Sequence, residues 1–342
     1  MAAVDFACDE IRLAQQLGDT GNDFSPMAYR FKLLEPFDEG IRRIGLQQID
    51  RLLEELQSAQ DAGAAIHNTR KGLKRIRALL RLARPGLGEA AYGAENARFR
   101  DIGRTLAAAR DQYVLMETLN KLESVATGRT KSAFAAARTK LARARDAAAL
   151  DQHNVAIAQA LQDLREARGR MAALPLDGAS FDAAFEGLAR AYRQANRSFD
   201  HAFDAKDGEA IHEFRKRVQH HWRHMTLLSL AWPELLEARI ATARQLSALL
   251  GEDHDIAVMV SALEGKNEAH LQPLAKKSAP VLTDSQRKLT LAFASSRQQA
   301  LRRTAKNLGR RLFAENADAF RDRMKLYWVS AGSDQTVETT PA

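Results

Sequence analysis

The stretch from Ala65 to Arg77 reads Ala-Ile-His-Asn-Thr-Arg-Lys-Gly-Leu-Lys-Arg-Ile-Arg, and a second stretch, from Ala210 to His220, reads Ala-Ile-His-Glu-Phe-Arg-Lys-Arg-Val-Gln-His. Both open with Ala-Ile-His-x-x-Arg-Lys. The first continues to Arg84 and contains seven Lys or Arg residues and no Asp or Glu after Ala65. A helix with this charge density is stable only if an anion or solvent compensates the repulsion. The duplication therefore indicates a helical, anion-binding protein.

Helical geometry places the cations of each copy on one stripe beside an apolar stripe. At about 100° per residue, the first stripe covers an arc of roughly 80° and the second an arc of roughly 100°. The first consists of His67, Arg70, Lys74, Arg77 and Arg81, and the second of His212, Arg215, Lys216, Gln219 and Arg223. Both stripes could be solvated faces. The recurrence of histidine at the same helical position favours anion binding.

The composition predicts an all-α protein with a sizeable core. The chain has 342 residues, of which 45% are apolar, and only 8 are Pro. The single cysteine, Cys8, excludes an intramolecular disulfide and a thiolate zinc cluster. Since no apolar run approaches 18 residues and the first residues are acidic, we expect a cytoplasmic protein without membrane insertion.

The positive charge is concentrated in the body of the chain. The net charge is +8, but residues 1–40 contain three Lys or Arg and eight Asp or Glu, so the remainder carries +13. A body of this sign attracts polyanions such as nucleic acid, an anionic membrane or a phosphate polymer.

Helix-capping residues and helix-breaking Gly and Pro residues predict four helices before the segment Leu174–Gly178 and four after it. In the first half, a helix ends before Gly63, the basic helix is stopped by Pro85-Gly86, and two more helices cover about 89–125 and 130–171. In the second half, Ser180 is predicted to cap one helix and Asp207 to cap the second basic helix. Trp232-Pro233 ends that basic helix. Further helices cover about 234–265 and 283–329, and the last of them has an interruption near Asn316. Residues 1–27 are expected to be a loosely ordered acidic segment, and residues 331–342 a disordered tail.

At the two basic stretches the chain resembles the CHAD family, the conserved-histidine α-helical domain. The family pattern is His-x-x-Arg-(Lys/Val)-x-x-(Lys/Arg)-(Arg/Lys)-x-Arg, with a later Leu-x-x-x-Leu-(Gly/Ala)-x-x-(Arg/Asn)-Asp motif. The later motif is similar to Leu106–Asp111 and to Leu249–Asp255. The resemblance spans about 28–330, with one repeat at about 28–172 and another at about 180–330. The second copy departs from the pattern at Gln219, His220 and Trp222.

The resemblance implies two pseudo-symmetric four-helix bundles around a basic channel or cleft that binds inorganic polyphosphate, and association with polyphosphate granules. The implied polyphosphate-binding residues are His67, Arg70, Lys71, Lys74, Arg75, Arg77, Arg81, His212, Arg215, Lys216, His220 and Arg223. Further possible phosphate contacts are Arg138, Arg145, Arg303, Lys306 and Arg310, although a solvated face explains the last three equally well.

Helical spacing explains why these residue types suit a phosphate polymer. Residues at i, i+3 and i+7 place donors about 5 Å apart along one face, and guanidinium groups bind phosphate oxygens in pairs. His67 and His212 lie near helix N-termini, where an anion is already favoured. Each of them could instead be a capping or core residue. We interpret Asp111 and Asp255 as residues that buttress arginines.

The sequence contains no catalytic signature that we can identify. It lacks a phosphate-binding Gly-rich loop, a Gly-x-Ser-x-Gly elbow and a His-Glu-x-x-His motif. It also lacks the Glu-x-Glu-x-Lys strand motif of the CYTH triphosphatase domains to which CHAD domains are often fused. We therefore expect a binding module without catalytic activity or cofactor.

Two other classes of function stay open. His220 and His224 have the i, i+4 spacing of a two-histidine metal site. Nucleic acid is the stronger alternative ligand, although a single-strand binder would be expected to interleave aromatic residues with its cations. The first basic helix, from Ile66 to Arg84, contains none.

Overall fold

The computed structural model describes residues 29–106, 108–143, 148–204, 208–264 and 282–338. These residues form ten α-helices, a short 3-10 helix at Ser229–Ala231 and no strand, which confirms the all-α class. The helices are α1 (Phe37–Gln57), α2 (Ala62–Thr105), α3 (Ala108–Val125), α4 (Gly128–Arg143), α5 (Ala148–Ala172), α6 (Phe181–Asp204), α7 (Gly208–Leu227), α8 (Pro233–Leu263), α9 (Asp284–Leu312) and α10 (Ala317–Glu338). None of these described helices is long and apolar enough to cross a membrane.

Helix α2 is a hairpin of two helical arms, which reverse direction at Gly88. Gly88 has φ 75° and ψ 163°, a conformation that glycine adopts without a steric penalty. We call residues 62–87 the first arm and residues 89–105 the second arm. The predicted stop at Pro85-Gly86 therefore lies within three residues of the observed reversal. The first arm contains the whole of the first basic stretch.

Local capping explains several of the observed boundaries. The Ser180 hydroxyl accepts a hydrogen bond of 3.3 Å from the Asp182 amide at the start of α6, as predicted. Asn316 Oδ1 accepts from the amides of Asp318 and Ala319, and this cap separates α9 from α10 at the predicted interruption. Asp207, the predicted cap of α7, lies outside the described residues.

Four predicted boundaries are wrong. The single helices expected over 89–125 and 130–171 are each divided: the second arm ends at Thr105 before α3, and α4 ends at Arg143 before α5. The second basic helix ends at Leu227 and not at Trp232-Pro233, and the 3-10 helix Ser229–Ala231 separates it from α8. Pro233 begins α8, a position where proline loses no helical hydrogen bond because it has no N–H. Residues 331–338, expected to be disordered, continue α10, because extending an existing helix requires no new nucleation.

The described residues form two hydrophobic core clusters, and each cluster contains residues from both halves of the sequence. The larger cluster contains residues of α1, α2 and α5–α10, including Ile41, Leu79 and Phe214. The smaller cluster joins α3 and α4 to α8 and α9, with Phe134 beside Phe293. The segment Leu174–Gly178 is therefore not a boundary between cores. The pseudo-symmetric repeat stays a prediction.

Close packing against α6 places the two basic helices beside each other. At Gly187 of α6, an added Cβ would lie 2.1 Å from the Leu82 carbonyl oxygen, so only glycine allows this approach to α2. Helix α7 packs between α6 and α8 and also contacts α2. Helix α7 and the first arm of α2 therefore both pack against α6, and they also contact each other directly.

Candidate anion-binding site

The two basic helices meet at His224 and Ala78. His224 Nε2 lies 2.9 Å from the Ala78 carbonyl oxygen, and the ring is fully buried. Burial lowers the pKa of His224 to about 3, and the charges of Arg81 and Arg223 oppose protonation further. The imidazole is therefore neutral at pH 7 and donates its Nε2 proton to the carbonyl. This contact fixes α7 against the first arm of α2.

The second arm of α2 supplies neutral acceptors to the cations of the first arm. Arg70 Nη1 donates to the Gly103 carbonyl, and Arg77 Nε donates to Asn96 Oδ1 over 3.0 Å. Burial lowers the pKa of Arg77, and the charge of Arg100 lowers it further. The two acceptors carry no charge, so these contacts orient the guanidinium groups of Arg70 and Arg77 by hydrogen bonding alone.

A group of cations surrounds Arg81, which we call the Arg81 cluster (Arg77, Arg81, Arg84, Tyr92 and Arg217). The guanidinium groups of Arg81 and Arg84 lie 5.8 Å and 4.6 Å from the Tyr92 ring centroid. Burial lowers the pKa of Arg81, and the charges of Arg217, Arg77 and Arg84 lower it further. Arg84 also binds the exposed carboxylate of Glu89. The cluster therefore concentrates positive charge that is only partly compensated.

A second group surrounds Arg223, which we call the Arg223 cluster (Tyr29, Arg75, Arg215, Trp222, Arg223 and Arg244). Arg223 is only 5% exposed, and its guanidinium carbon lies 4.3 Å from the Trp222 ring centroid. Burial lowers its pKa to about 9, and the charges of Arg75, Arg244 and Arg215 act in the same direction. Arg75 lies outside the predicted first stripe. Arg75 of α2 therefore lies in one cluster with Arg215 and Arg223, which belong to the predicted stripe of α7.

His220 lies within electrostatic reach of both clusters. Its pKa is well below the ordinary value because the ring is buried and because Arg81, Arg223 and Arg217 act on it. His220 is therefore uncharged at pH 7, and a neutral ring stands where the first basic stretch has Arg75. The two clusters are neighbours, since one side chain is influenced by both.

The histidines that open the basic stretches are half-buried rather than core residues. His212 stacks on His254 of α8, with ring centroids 4.2 Å apart. Burial lowers the pKa of His212, followed by the charges of Lys216 and Arg215. The two rings line a cavity of about 210 Å³, together with Gly208, Glu209, Ile211, Asp253, Ala257, Val258 and Ser261.

Part of the charge on α7 is already paired. Lys216 binds the Glu213 carboxylate, which also lies 3.6 Å from Arg217. Arg217 donates in addition to Gln194 Oε1 over 3.0 Å. Arg215 packs against α8 at Gly251, where an added Cβ would lie 3.2 Å from its Nη2 atom. Lys71 is exposed and Lys74 is half-buried on the first arm.

The further predicted contacts lie on α4 and α9. Arg138 binds the Glu123 carboxylate over 2.9 Å, which leaves it little charge for a ligand. Lys306 lies 5.7 Å from the Phe203 ring centroid, whereas Arg303 and Arg310 are exposed on α9. Arg145 is outside the described residues.

The buried carboxylate of the Leu249–Asp255 motif is Asp253 rather than Asp255. Asp253 is 2% exposed and accepts two hydrogen bonds from Arg302, of 2.7 Å and 3.1 Å. Asp255 is half-buried. The side chain of Asp111 is outside the described part. Sequence reasoning missed Asp253, as well as Tyr29, Tyr92 and Arg244, since no spacing relates them to the basic stretches.

The two-histidine metal hypothesis gains no support from the geometry. His224 Nε2 is already bound to the Ala78 carbonyl. Within the described ranges, no group of three or more His, Cys, Asp or Glu residues could hold a metal ion.

Comparisons with known proteins identify the family. The model of the CHAD domain matches residues 43–264, so the chain belongs to the CHAD domain family. The crystal structure of the CHAD domain from the plant Ricinus communis superimposes with a TM-score of 0.60 and 18% sequence identity, over 86% of this chain and 96% of that chain. This likeness concerns the fold. A search of curated proteins found no match.

Proposed function

We propose that this CHAD protein binds inorganic polyphosphate through the Arg81 and Arg223 clusters. The observation that carries the proposal is the convergence of two basic helices, on which burial lowers the pKa of Arg81 and Arg223 and the charges of neighbouring arginines lower it further. A bound polyanion would supply the opposing charge. Guanidinium groups suit this role because each offers several donors in a fixed fork.

A phosphate polymer fits this arrangement better than a nucleic acid. The two clusters are adjacent at His220, so one flexible chain could contact both. Binding of single-stranded nucleic acid usually relies on aromatic rings that are free to stack on bases. Tyr92 and Trp222 are each beside two guanidinium groups, and Tyr92 is 6% exposed. These rings hold arginines and leave little face for a base.

The proposal includes a non-catalytic role in the cytoplasm, at polyphosphate granules. Its support is the family resemblance together with the chemistry of the clusters. Enzymes that transfer or hydrolyse phosphoryl groups commonly hold divalent cations with carboxylates, which then neutralise the developing charge. The two clusters consist of cations and aromatic rings, a composition that suits binding.

Competition between ligands across a salt series tests the proposal. Purified protein is titrated with long-chain polyphosphate and with DNA at matched charge concentration, near physiological ionic strength. We expect binding to weaken steeply with salt, because counterions are released, and to persist in excess DNA. Equal or tighter binding to DNA would assign the clusters to general polyanion binding and contradict the proposal.

A further inference from the structure

The described part of the chain begins at the Arg223 cluster. Tyr29 is 5% exposed, and its hydroxyl donates to the Arg75 carbonyl over 2.8 Å. Two residues later, the Phe31 amide donates to the last carbonyl of α7 over 2.9 Å, and the Phe31 ring is fully buried. Tyr29 and Arg223 lie within electrostatic reach, since each influences the pKa of the other. Residues 1–28, which lie outside the described residues, are therefore joined to the fold beside this cluster.

The N-terminal segment (residues 1–28) carries a high density of negative charge. It has one arginine and five acidic residues, so its net side-chain charge is −4. The first two acidic residues of the described chain, Glu35 and Asp38, already pair with arginines of α1. The acidic residues of the segment are Asp5, Asp9, Glu10, Asp19 and Asp23. Negative charge is thus concentrated in the segment that joins the fold at the cluster.

The Arg223 cluster has the chemistry to bind carboxylates. Arg223 of α7 and Arg244 of α8 lie 4.3 Å and 5.1 Å from the Trp222 ring centroid, and Arg244 is exposed. The charges of Arg75, Arg215 and Arg244 act on Arg223, so cations of α2, α7 and α8 lie close together. A guanidinium group has several N–H donors, so an arginine that already has one contact can still bind a carboxylate.

The covalent connection favours this contact over the binding of a separate acidic chain. In an extended conformation, 28 residues would span roughly 90 Å, so reach does not limit the contact. A ligand that is joined to its site by a short linker has an effective concentration on the order of mM. Ion pairs that are individually weak and exposed can therefore hold the segment at the cluster.

We propose that the Arg223 cluster is the docking surface for residues 1–28 of the same chain, which bind it through their carboxylates. The segment then occupies the place at which α2, α7 and α8 bring their cations together, and an external polyanion has to displace it. This regulatory consequence rests on the proposed function, but the docking itself does not.

The single cysteine, Cys8, allows a direct test because it precedes Asp9 and Glu10 in the segment. A benzophenone maleimide on Cys8 photo-cross-links the whole chain at the surface that the segment contacts, and mass spectrometry identifies the peptides. We expect the main intramolecular cross-links in peptides that contain or adjoin Arg75, Arg223 or Arg244. Their yield should fall as ionic strength rises, because salt screens exposed charges. Cross-links mainly at other surfaces, or only between two copies of the chain, would overturn the proposal.

Neutralising the segment should release it from the cluster. Asp5→Asn, Asp9→Asn and Glu10→Gln together should lower the yield of these cross-links about threefold or more. The matched control triple changes the net charge equally at surface positions whose ion-pair partners lie outside the cluster, and should leave the yield unchanged. It consists of Glu117→Gln, Glu166→Gln and Glu186→Gln. Equal yields in the two triples would contradict docking through carboxylates.

The other side of the contact is tested on the described helices. Arg244→Gln changes an exposed residue of the cluster, so folding should be retained, and the cross-link yield should fall about twofold. Lys288→Gln removes the same charge from an exposed position on α9 and should have no effect. A yield that does not distinguish these two variants would place the segment elsewhere.

The regulatory consequence is measured by titration with long-chain polyphosphate. The acidic triple variant should bind about threefold tighter than the wild type and tighter than the control triple, which carries the same net charge. If Cys8 cross-links at the cluster but the wild type prefers DNA to polyphosphate, the docking stands and the proposed function is wrong. If polyphosphate is preferred but the cross-links lie elsewhere, the docking is wrong and the proposed function stands.

Discussion

The first arm of α2 and helix α7 begin with the same Ala-Ile-His-x-x-Arg-Lys pattern, yet the fold treats their cations differently. On α2, Arg70 and Arg77 donate to neutral acceptors on the second arm. On α7, Lys216 and Arg217 share the carboxylate of Glu213. A repeated motif therefore places the same residue types on the surface of each helix. The residues that surround each helix determine which partners these cations bind.

The two basic helices also differ in their histidine content beyond the shared opening. Aligning the two Ala-Ile-His openings places His220, His221 and His224 of α7 opposite Arg75, Ile76 and Leu79 of α2. Of these three histidines, His221 and His224 are buried and His220 is half-buried, and all three have lowered pKa values. His221 accepts a hydrogen bond of 3.2 Å from Arg239 Nε. Part of α7 is therefore committed to packing, whereas the aligned positions of α2 carry one cation and two apolar residues.

Matched triple substitutions should give the largest effect. Arg70→Ala, Lys74→Ala and Arg77→Ala together should weaken polyphosphate binding about 100-fold, because they remove three cations from one face of the first arm. A triple substitution of equal charge on α7, Arg215→Ala, Lys216→Ala and Arg217→Ala, should weaken it only about tenfold, because Lys216 and Arg217 already share the Glu213 carboxylate. Equilibrium titration measures both, with circular dichroism as the control for helix content. An equal loss in the two triples would remove the proposed difference between the helices.

Acidification should expose the packing role of the α7 histidines. The pKa of His224 is about 3 in the folded protein and near 6.5 in the unfolded chain, so unfolding takes up a proton between these values. Stability is complete above pH 6.5 and is lost as the pH falls toward 3. His224 alone should cost about 2 kcal/mol at pH 5.

Denaturant unfolding at pH 7 and pH 5 measures this loss. His220 and His221 add to it in the same direction, because their pKa values are also lowered. His224→Gln, which keeps a hydrogen-bond donor for the Ala78 carbonyl, should show a smaller difference between the two pH values. A wild-type stability that is the same at pH 7 and pH 5 would contradict buried, neutral histidines.

The smallest effect should come from releasing the paired cations of α7. Glu213→Gln frees Lys216 and Arg217, and we expect polyphosphate binding to tighten about threefold, in line with the modest energies of exposed ion pairs. Glu186→Gln is the matched control, since it breaks the ion pair with Arg321, away from both clusters. If the two variants behave alike, overall charge rather than local pairing controls affinity.

Much of the helical framework was predictable from local signals. The basic stretch with its apolar stripe, the break near Pro85-Gly86, the Ser180 cap and the interruption near Asn316 were read from composition and periodicity. Divisions at Thr105 and Arg143 were missed, because alanine-rich segments such as these carry no strong stop signal. The binding residues proposed on the first arm were chosen by type and spacing, and their role stays a prediction.

The sequence by itself determined the helical class, the family and the two cationic helices, because periodicity and charge density are local properties. Only the tertiary structure decided that Arg75 joins Arg223 rather than Arg81, and that His220 is neutral. It also brought Tyr29, Tyr92 and Arg244 to the clusters. These outcomes depend on burial and on charges brought together from distant parts of the chain, and both change electrostatic energies in ways that no sequence spacing records.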